Sequence, residues 1–331
     1  MLSQNQKLSP DIWNADAKKI PTRDGFGKGL VEAGKADPRV VILCADLAES
    51  TRVEWFKKEF PERYIEIGVA EQNLAGVASG LANYGKIPFI TSYATFSPGR
   101  NNEQIRTNIA LNNVPVKIIG SHAGVSVGPD GATHQALEDI GLMRMLPNMT
   151  VVVPCDMEEA RKATLAIAKT NSPAYLRLGR SSTSVITTTE SPFELGRAEV
   201  LWKGEKPQVA LIACGALLHN ALVAAEKLSK ENVSVLVLNN HTVKPMDSAG
   251  VVGVAKECGA VVTIEEHQIA GGMGSAVAEI LSQNNPVPIE FIGVHDQFGQ
   301  SGEPDELIKH YGMDVDSIIV AAKKAISRKY Q

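Results

Sequence analysis

The chain of 331 residues is 44% hydrophobic and 21% charged, and its formal net charge is −4. This balance indicates a globular protein without a broad attraction to nucleic acid or to anionic membranes. No apolar run approaches the roughly 20 residues that a membrane span needs, and the N-terminus resembles neither a secretory signal nor a transit peptide. We therefore expect a cytoplasmic protein whose partners include no nucleic acid and no membrane.

The first half of the chain alternates short β-branched runs with helix-like segments. The predicted strands are the run VVILCADL, which begins at Val40, and residues 87–91, 116–120, 150–153 and 175–178. Strands that alternate with helices predict an α/β fold, with a parallel, doubly wound sheet covered on both faces. Functional groups in such sheets follow the carboxyl ends of the strands. We therefore expect the site in the segments CADLAES, TSYATF and SHAGVSVGPDGATH.

The second half shows a similar but shorter alternation. Residues 181–196 are rich in Ser and Thr and lack helical periodicity, which predicts an exposed linker. We predict a first domain over residues 15–182, a linker over 183–196 and a smaller α/β domain over 197–331. The four cysteines stand singly, without a CxxC pair or a zinc-like spacing, and are predicted to be buried and reduced.

The segment from residue 68 to residue 96 carries the clearest chemical signal. It places Glu71 at the start of a Gly- and Ala-rich helix, and the strand after it ends close to Tyr93 and Phe96. A carboxylate at a helix start is by itself favoured by the helix dipole. Beside small residues and an aromatic wall, the same carboxylate would suit a flat heterocycle that can be protonated.

Several motifs in a shared order resemble the transketolase family. The segments RYIEIGVAEQN, PFITSYATF, SHAGVSVGPDGATHQ, LPNMTVVVPCD and PAYLRLGR are similar to its middle, pyrimidine-binding domain over about residues 19–180. The segment VVTIEEHQIAGGMGSAVAE resembles the C-terminal domain of the same family. The resemblance implies two doubly wound domains, the second smaller than the first, and the cofactor thiamine diphosphate.

The resemblance also implies roles for individual residues. Glu71 would hydrogen-bond the pyrimidine nitrogen of the cofactor and act in catalysis, Phe96 would stack on the pyrimidine ring, and Tyr93 would lie beside it. The substrate would be bound by residues of the glycine-rich loop and by two arginines. His134 would also assist proton transfers, and the substrate-binding residues would be Arg23, His122, Asp130, His134 and Arg180.

Two positions depart from the pattern of the family. Cys44 stands where the family often has a serine that binds phosphate, which leaves the acceptor specificity open. Gly99 lies near the place where the family carries a tyrosine, so the pocket wall differs.

The family's Gly-Asp-Gly motif, with its downstream asparagine, is missing from this sequence. A diphosphate needs a metal ion and its ligands for firm binding. The resemblance therefore implies the C-terminal subunit of a split transketolase, with Mg²⁺ or Ca²⁺ bound mainly by an N-terminal transketolase subunit. We expect an α2β2 heterotetramer, and we expect this chain alone to be inactive.

The expected reaction transfers a two-carbon ketol unit between sugar phosphates, for example from xylulose 5-phosphate to ribose 5-phosphate. A 1-deoxyxylulose-5-phosphate synthase shares the middle domain, and the β subunit of a 2-oxoacid dehydrogenase is naturally split. A third alternative is a non-catalytic assembly subunit. The retained Glu71, Phe96 and His134 speak against this last alternative.

Overall fold

The computed structural model describes residues 1–14 and 17–330. The predicted start of the first domain at residue 15 and the predicted end of the second at residue 331 lie outside the described residues. The strands are β1 (Lys19–Pro21), β2 (Val40–Cys44), β3 (Tyr64–Glu66), β4 (Ile87–Tyr93), β5 (Lys117–Ser121), β6 (Thr150–Val152), β7 (Ala174–Arg177), β8 (Ser182–Ser184), β9 (Glu199–Lys203), β10 (Val209–Ala213), β11 (Val235–Asn239), β12 (Thr242–Lys244), β13 (Val261–Gln268) and β14 (Ile289–Val294). The helices are α1 (Thr22–Ala36), α2 (Glu54–Glu59), α3 (Glu71–Asn83), α4 (Asn102–Gln104), α5 (Asp139–Arg144), α6 (Met157–Ala168), α7 (Leu218–Lys230), α8 (Ser248–Cys258), α9 (Met273–Asn284), α10 (Pro304–His310) and α11 (Val315–Ser327).

A seven-stranded sheet forms the first half, in the order β12-β6-β7-β5-β4-β2-β3. Its strands are parallel except for β12, which pairs antiparallel with β6. Every residue of β2 and β5 is buried, as expected for strands covered by helices on both faces. The five strands predicted for this half are all present, so this part of the α/β prediction is confirmed.

A five-stranded sheet forms the second half, in the order β14-β13-β10-β11-β9. Four of its strands are parallel, and β9 pairs antiparallel with β11. The predicted second α/β unit is therefore also confirmed as a fold. The division at residues 183–196 stays a prediction.

The two halves share hydrogen bonds and core. Strand β12 comes from the second half of the chain but extends the first sheet, because Thr242 pairs with Val152. At the other end, Leu2 forms a bridge with Trp202 of β9. One hydrophobic cluster contains Leu74 of α3 together with Ile212 of β10. Side chains from both halves therefore contribute to one continuous core.

The expectation of an exposed linker is wrong for part of the segment. Ile186 and Thr187 are buried, and both of their backbone N–H groups donate to Oδ2 of Asp156, at 2.7 and 2.5 Å. The other oxygen of Asp156 caps helix α6 by accepting the N–H of Glu159 at 2.8 Å. One buried carboxylate therefore holds this stretch against the start of α6, which the local Ser/Thr composition does not indicate.

Candidate functional site

Glu71 is the first residue of α3 and lies at the carboxyl edge of the first sheet. Its side chain is only 2% exposed. Oε2 accepts a hydrogen bond from Nη1 of Arg100 at 2.8 Å, and Oε1 accepts one from the Ser92 hydroxyl at 3.5 Å. The Asn101 amide donates to the backbone carbonyl of Glu71 at 3.0 Å. The predicted helix-start acid is therefore a buried carboxylate with fixed partners.

Four aromatic rings lie together beside this carboxylate. The rings of Tyr93 and Phe96 are 6.3 Å apart and nearly parallel, and the Tyr93 ring stacks on His122 at 4.1 Å. The ring of His134 meets Phe96 edge to face at 5.4 Å and Tyr93 at 6.1 Å. Offset and edge-to-face contacts are the favoured geometries of aromatic pairs. The structure thus brings together four of the residues that the sequence predicts for the site.

His122 is held as a neutral hydrogen-bond acceptor. Nη1 of Arg23 lies 3.1 Å from its Nε2, and a guanidinium can only donate, so this nitrogen carries no proton. The proton then lies on Nδ1, which is 2.9 Å from the Ser121 hydroxyl. Burial, followed by the positive charges of Arg23 and Arg180, lowers the pKa of His122 to about 3.

Several arginine side chains lie around His122. Burial and the neighbouring Arg52 lower the pKa of Arg23, and Arg180 acts on it in the same direction. Arg180 donates to the carbonyl of Val127 at 2.9 Å. A group of guanidinium ions at the edge of a site suits a phosphate or another oxyanion.

Asp130 is placed differently from the other predicted residues. It is exposed at the end of the 3-10 segment Val125–Asp130. Within the described residues, no hydrogen bond or ring contact joins it to Glu71, Phe96 or His134. A contact between Asp130 and a substrate hydroxyl stays a prediction.

The two departures from the family pattern have clear structural settings. Cys44 is fully buried at the end of β2, where its Sγ accepts the N–H of Leu47 at 3.4 Å. A Cβ atom at Gly99 would lie 2.0 Å from the backbone oxygen of Thr95. This backbone therefore has no room for a tyrosine at position 99.

Sequence reasoning missed Arg100 and Arg52. The guanidinium carbon of Arg100 lies 4.6 Å from the centroid of the Phe96 ring while the same group pairs with Glu71. Arg52 donates through Nε to Asp24 at 2.7 Å and adds positive charge near His122. For Arg100, the available signal in the sequence was its position four residues after Phe96. Arg52 is brought close to His122 by the tertiary fold.

The site offers an acceptor and a stacking face, which are the two contacts that an aminopyrimidine requires. Glu71 and Phe96 already hold one flat cation between a buried carboxylate and an aromatic face, so a flat heterocycle with an N–H edge fits the same two groups. Among residues 1–14 and 17–330, no group of three His, Cys, Asp or Glu side chains could hold a metal ion.

Comparisons with known proteins agree with this arrangement. The family described as "Transketolase, pyrimidine binding domain" matches residues 18–185, and "Transketolase, C-terminal domain" matches residues 196–318. The chain therefore belongs to the transketolase family, whose members use thiamine diphosphate. Within the described residues, no helix is long and apolar enough to span a membrane.

Individual relatives cover nearly the whole chain. A protein of Methanocaldococcus jannaschii named "Putative transketolase C-terminal section" is 42% identical over 89% of this chain and 93% of its own length. A 6-deoxy-6-sulfo-D-fructose transketolase subunit of Clostridium sp. (strain MSTE9) is 40% identical over 93% of this chain and 95% of its own length. A solved structure described as "Split gene transketolase, inactive beta4 tetramer" superposes with a TM-score of 0.87 at 44% identity, over 94% of this chain and 99% of that one. The chain spans about half the length of the mammalian transketolases that it matches.

Proposed function

We propose that this chain is the C-terminal subunit of a thiamine-diphosphate-dependent transketolase. The reaction is the transfer of a two-carbon ketol unit between sugar phosphates, such as xylulose 5-phosphate and ribose 5-phosphate, in the cytoplasmic pentose phosphate pathway. The observation that carries the proposal is the buried Glu71 carboxylate, which faces a flat cation stacked on Phe96. A carboxylate and an aromatic face are the two groups that an aminopyrimidine needs.

Thiamine diphosphate, when bound, supplies a nucleophilic carbon that breaks and forms the bonds of the ketol unit. Glu71 would hydrogen-bond the pyrimidine ring nitrogen and thereby hold a proton at that atom. Phe96 would fix the plane of the ring by stacking, with Tyr93 packed beside it. The role of this chain is therefore to place the ring and to control its protonation.

Other side chains of the same edge would bind the substrate. His134 lies edge to face against Phe96, so it is close enough to the stacking face to handle protons of the donor sugar. Arg23, Arg52 and Arg180 form the cationic end of the site, which would take the phosphate, and the neutral His122 beside them would contact the same group. Asp130, exposed at the loop, would bind a hydroxyl group.

The site needs a second chain. The family's Gly-Asp-Gly motif, which supports metal binding at the diphosphate, is missing from this sequence. The partner would be an N-terminal transketolase subunit that binds the diphosphate through Mg²⁺ or Ca²⁺, in an α2β2 heterotetramer. The similar solved protein that is described as an inactive beta4 tetramer supports this proposal, because that assembly contains only one kind of subunit.

The test is reconstitution. The purified chain alone should form no product from xylulose 5-phosphate and ribose 5-phosphate, and addition of an N-terminal transketolase subunit should produce steady turnover. Full activity of the chain alone would contradict the proposal.

A sulfonated sugar is a second candidate for the substrate. The cationic end formed by Arg23, Arg52 and Arg180 would accept a sulfonate as well as a phosphate, and a relative 40% identical to this chain is a 6-deoxy-6-sulfo-D-fructose transketolase subunit. Product analysis of the reconstituted complex with xylulose 5-phosphate, 6-deoxy-6-sulfo-D-fructose and pyruvate separates these reactions. Turnover of pyruvate alone would instead favour a synthase or a 2-oxoacid dehydrogenase subunit.

A further inference from the structure

The guanidinium of Arg100 makes two contacts at the candidate cofactor site. Its Nη1 donates to Oε2 of Glu71 at 2.8 Å, and its central carbon lies 4.6 Å from the centroid of the Phe96 ring. The Glu71 side chain is 2% exposed, whereas that of Arg100 is 48% exposed. The side chain of Arg100 thus extends from the surface to the buried carboxylate of Glu71.

An aminopyrimidine at this site would make the same two kinds of contact, a hydrogen bond to the carboxylate and stacking on the aromatic ring. A guanidinium is flat and cationic, donates hydrogen bonds in its plane and stacks on aromatic faces. A pyrimidine ring that is protonated at its edge nitrogen would also donate to Glu71 and lie on Phe96. Both groups cannot hold these positions at the same time.

We propose that Arg100 sets the affinity of this site for the cofactor's pyrimidine, because its guanidinium occupies the place on Glu71 and Phe96 that the pyrimidine takes. This inference rests on the proposed function of Glu71 and Phe96. Arg100 must swing outward before the pyrimidine binds, and the pyrimidine N–H then replaces it as the partner of the carboxylate.

The surrounding contacts allow the side chain to move without its backbone. The N–H of Arg100 donates to the carbonyl of Phe96 at 3.1 Å, and the next residue, Asn101, is bound to the Glu71 carbonyl. The first contact holds the main chain at Arg100, and the second anchors the side chain of the residue that follows it. The half-exposed guanidinium can exchange its contacts for water, whereas the carboxylate stays buried and needs a partner.

The energetic consequence follows from competition. When only a fraction of the molecules have an open site, the apparent dissociation constant rises by the inverse of that fraction. If Arg100 occupies the site in about nine molecules of ten, the pyrimidine binds about tenfold more weakly than to the open form. Removal of the guanidinium should therefore tighten binding.

The experiment measures binding of 4-amino-2-methylpyrimidine to the full chain by calorimetry, which needs neither the diphosphate nor turnover. Arg100→Met should bind the pyrimidine about five- to tenfold more tightly than the unmodified chain. Arg106→Met is the matched control, because Arg106 is an exposed arginine on the following turn, and its replacement should leave the affinity unchanged. Arg100→Gln is a second variant in case the methionine variant does not fold.

A competition experiment tests whether the site itself is vacated. Methylguanidinium should weaken pyrimidine binding to Arg100→Ala by a several-fold larger factor than binding to the unmodified chain, in which Arg100 already fills the place in most molecules. Unchanged or weaker binding by both Arg100→Met and Arg100→Gln, with binding still lost in Glu71→Gln, would overturn the inference and leave the proposed function standing. Full binding by Glu71→Gln would overturn the proposed role of Glu71 and this inference with it.

Discussion

Arg177 and Asp139 form a buried ion pair, in which Nε of Arg177 donates to Oδ2 of Asp139 at 2.8 Å. The Tyr175 hydroxyl donates to the same oxygen at 2.6 Å, and Nη2 of Arg177 donates to the carbonyl of Glu266 at 2.8 Å. Burial alone would raise the pKa of Asp139, but the charge of Arg177 holds it below its ordinary value. The pair joins β7 to the start of α5, and the bond from Arg177 to Glu266 of β13 links the first sheet to the second.

We expect Arg177→Met to lower the free energy of unfolding by about 3–5 kcal/mol, because it leaves a buried carboxylate without its partner. Urea unfolding followed by circular dichroism measures the change. Arg197→Met is the matched control, since Arg197 is 66% exposed and lies 3.5 Å from the exposed Glu194. Its replacement should cost less than about 1 kcal/mol. Equal stability of the two variants would contradict the structural role of the pair.

Replacement of Glu71 by glutamine should lower the turnover of the reconstituted complex by about two to four orders of magnitude. An amide keeps the size of the side chain but cannot take up or release the proton. Steady-state rates and sedimentation velocity measure activity and assembly separately, and assembly should be unchanged. Glu62→Gln, at a side chain that is 70% exposed, is the control with the same chemical change. A Glu71→Gln complex with near-normal turnover would reject the assigned role.

Stability should fall in acid in part because of His241. This residue is fully buried, stacks on Phe193 at 4.4 Å, and has a pKa lowered by burial from 6.5 to about 4. Between these two values the unfolded chain binds more protons than the folded one. The contribution of His241 is therefore complete above about pH 6.5 and is lost as the pH falls toward 4. It amounts to at most about 3 kcal/mol.

His241→Leu should consequently show a smaller loss of stability between about pH 7 and pH 4.5 than the unmodified chain. Urea unfolding at both pH values gives the comparison. His310→Leu, at an exposed position of α10, should retain the full pH dependence. Identical pH dependence in all three proteins would show that His241 is not the titrating group.

The four cysteines should be unreactive in the folded protein. Cys44, Cys155, Cys214 and Cys258 are free and buried, and burial raises the pKa of each thiol, to about 12 for Cys258. The thiolate is the reactive form, and it is both rare and inaccessible here. Titration with a disulfide reagent should detect no fast thiol before unfolding and four after it. A thiol that reacts rapidly in the native state would contradict the burial of that residue.

The sequence predicted most of what is local in this fold. The runs that begin at Val40 and Ile87 are β-branched and bounded by polar or glycine-containing turns, and both form central strands. The start of α3 at Glu71 was also predicted. Strands β1, β3, β8, β9 and β12 were not predicted. All but β9 have three residues, and each is stabilised by pairing with a strand from another part of the chain.

The same distinction between local features and long-range contacts applies to the site. The residue types of the site, their order and the resemblance to the transketolase family follow from the sequence alone, because they are properties of short segments and of their spacing. Only the tertiary structure places Arg100 on Glu71, Arg23 on His122 and the linker backbone on Asp156. Arg23 and His122 are 99 positions apart, so their contact depends on packing of the whole sheet and not on local preference. The sequence therefore determined which groups are available, and the fold decided which of them meet.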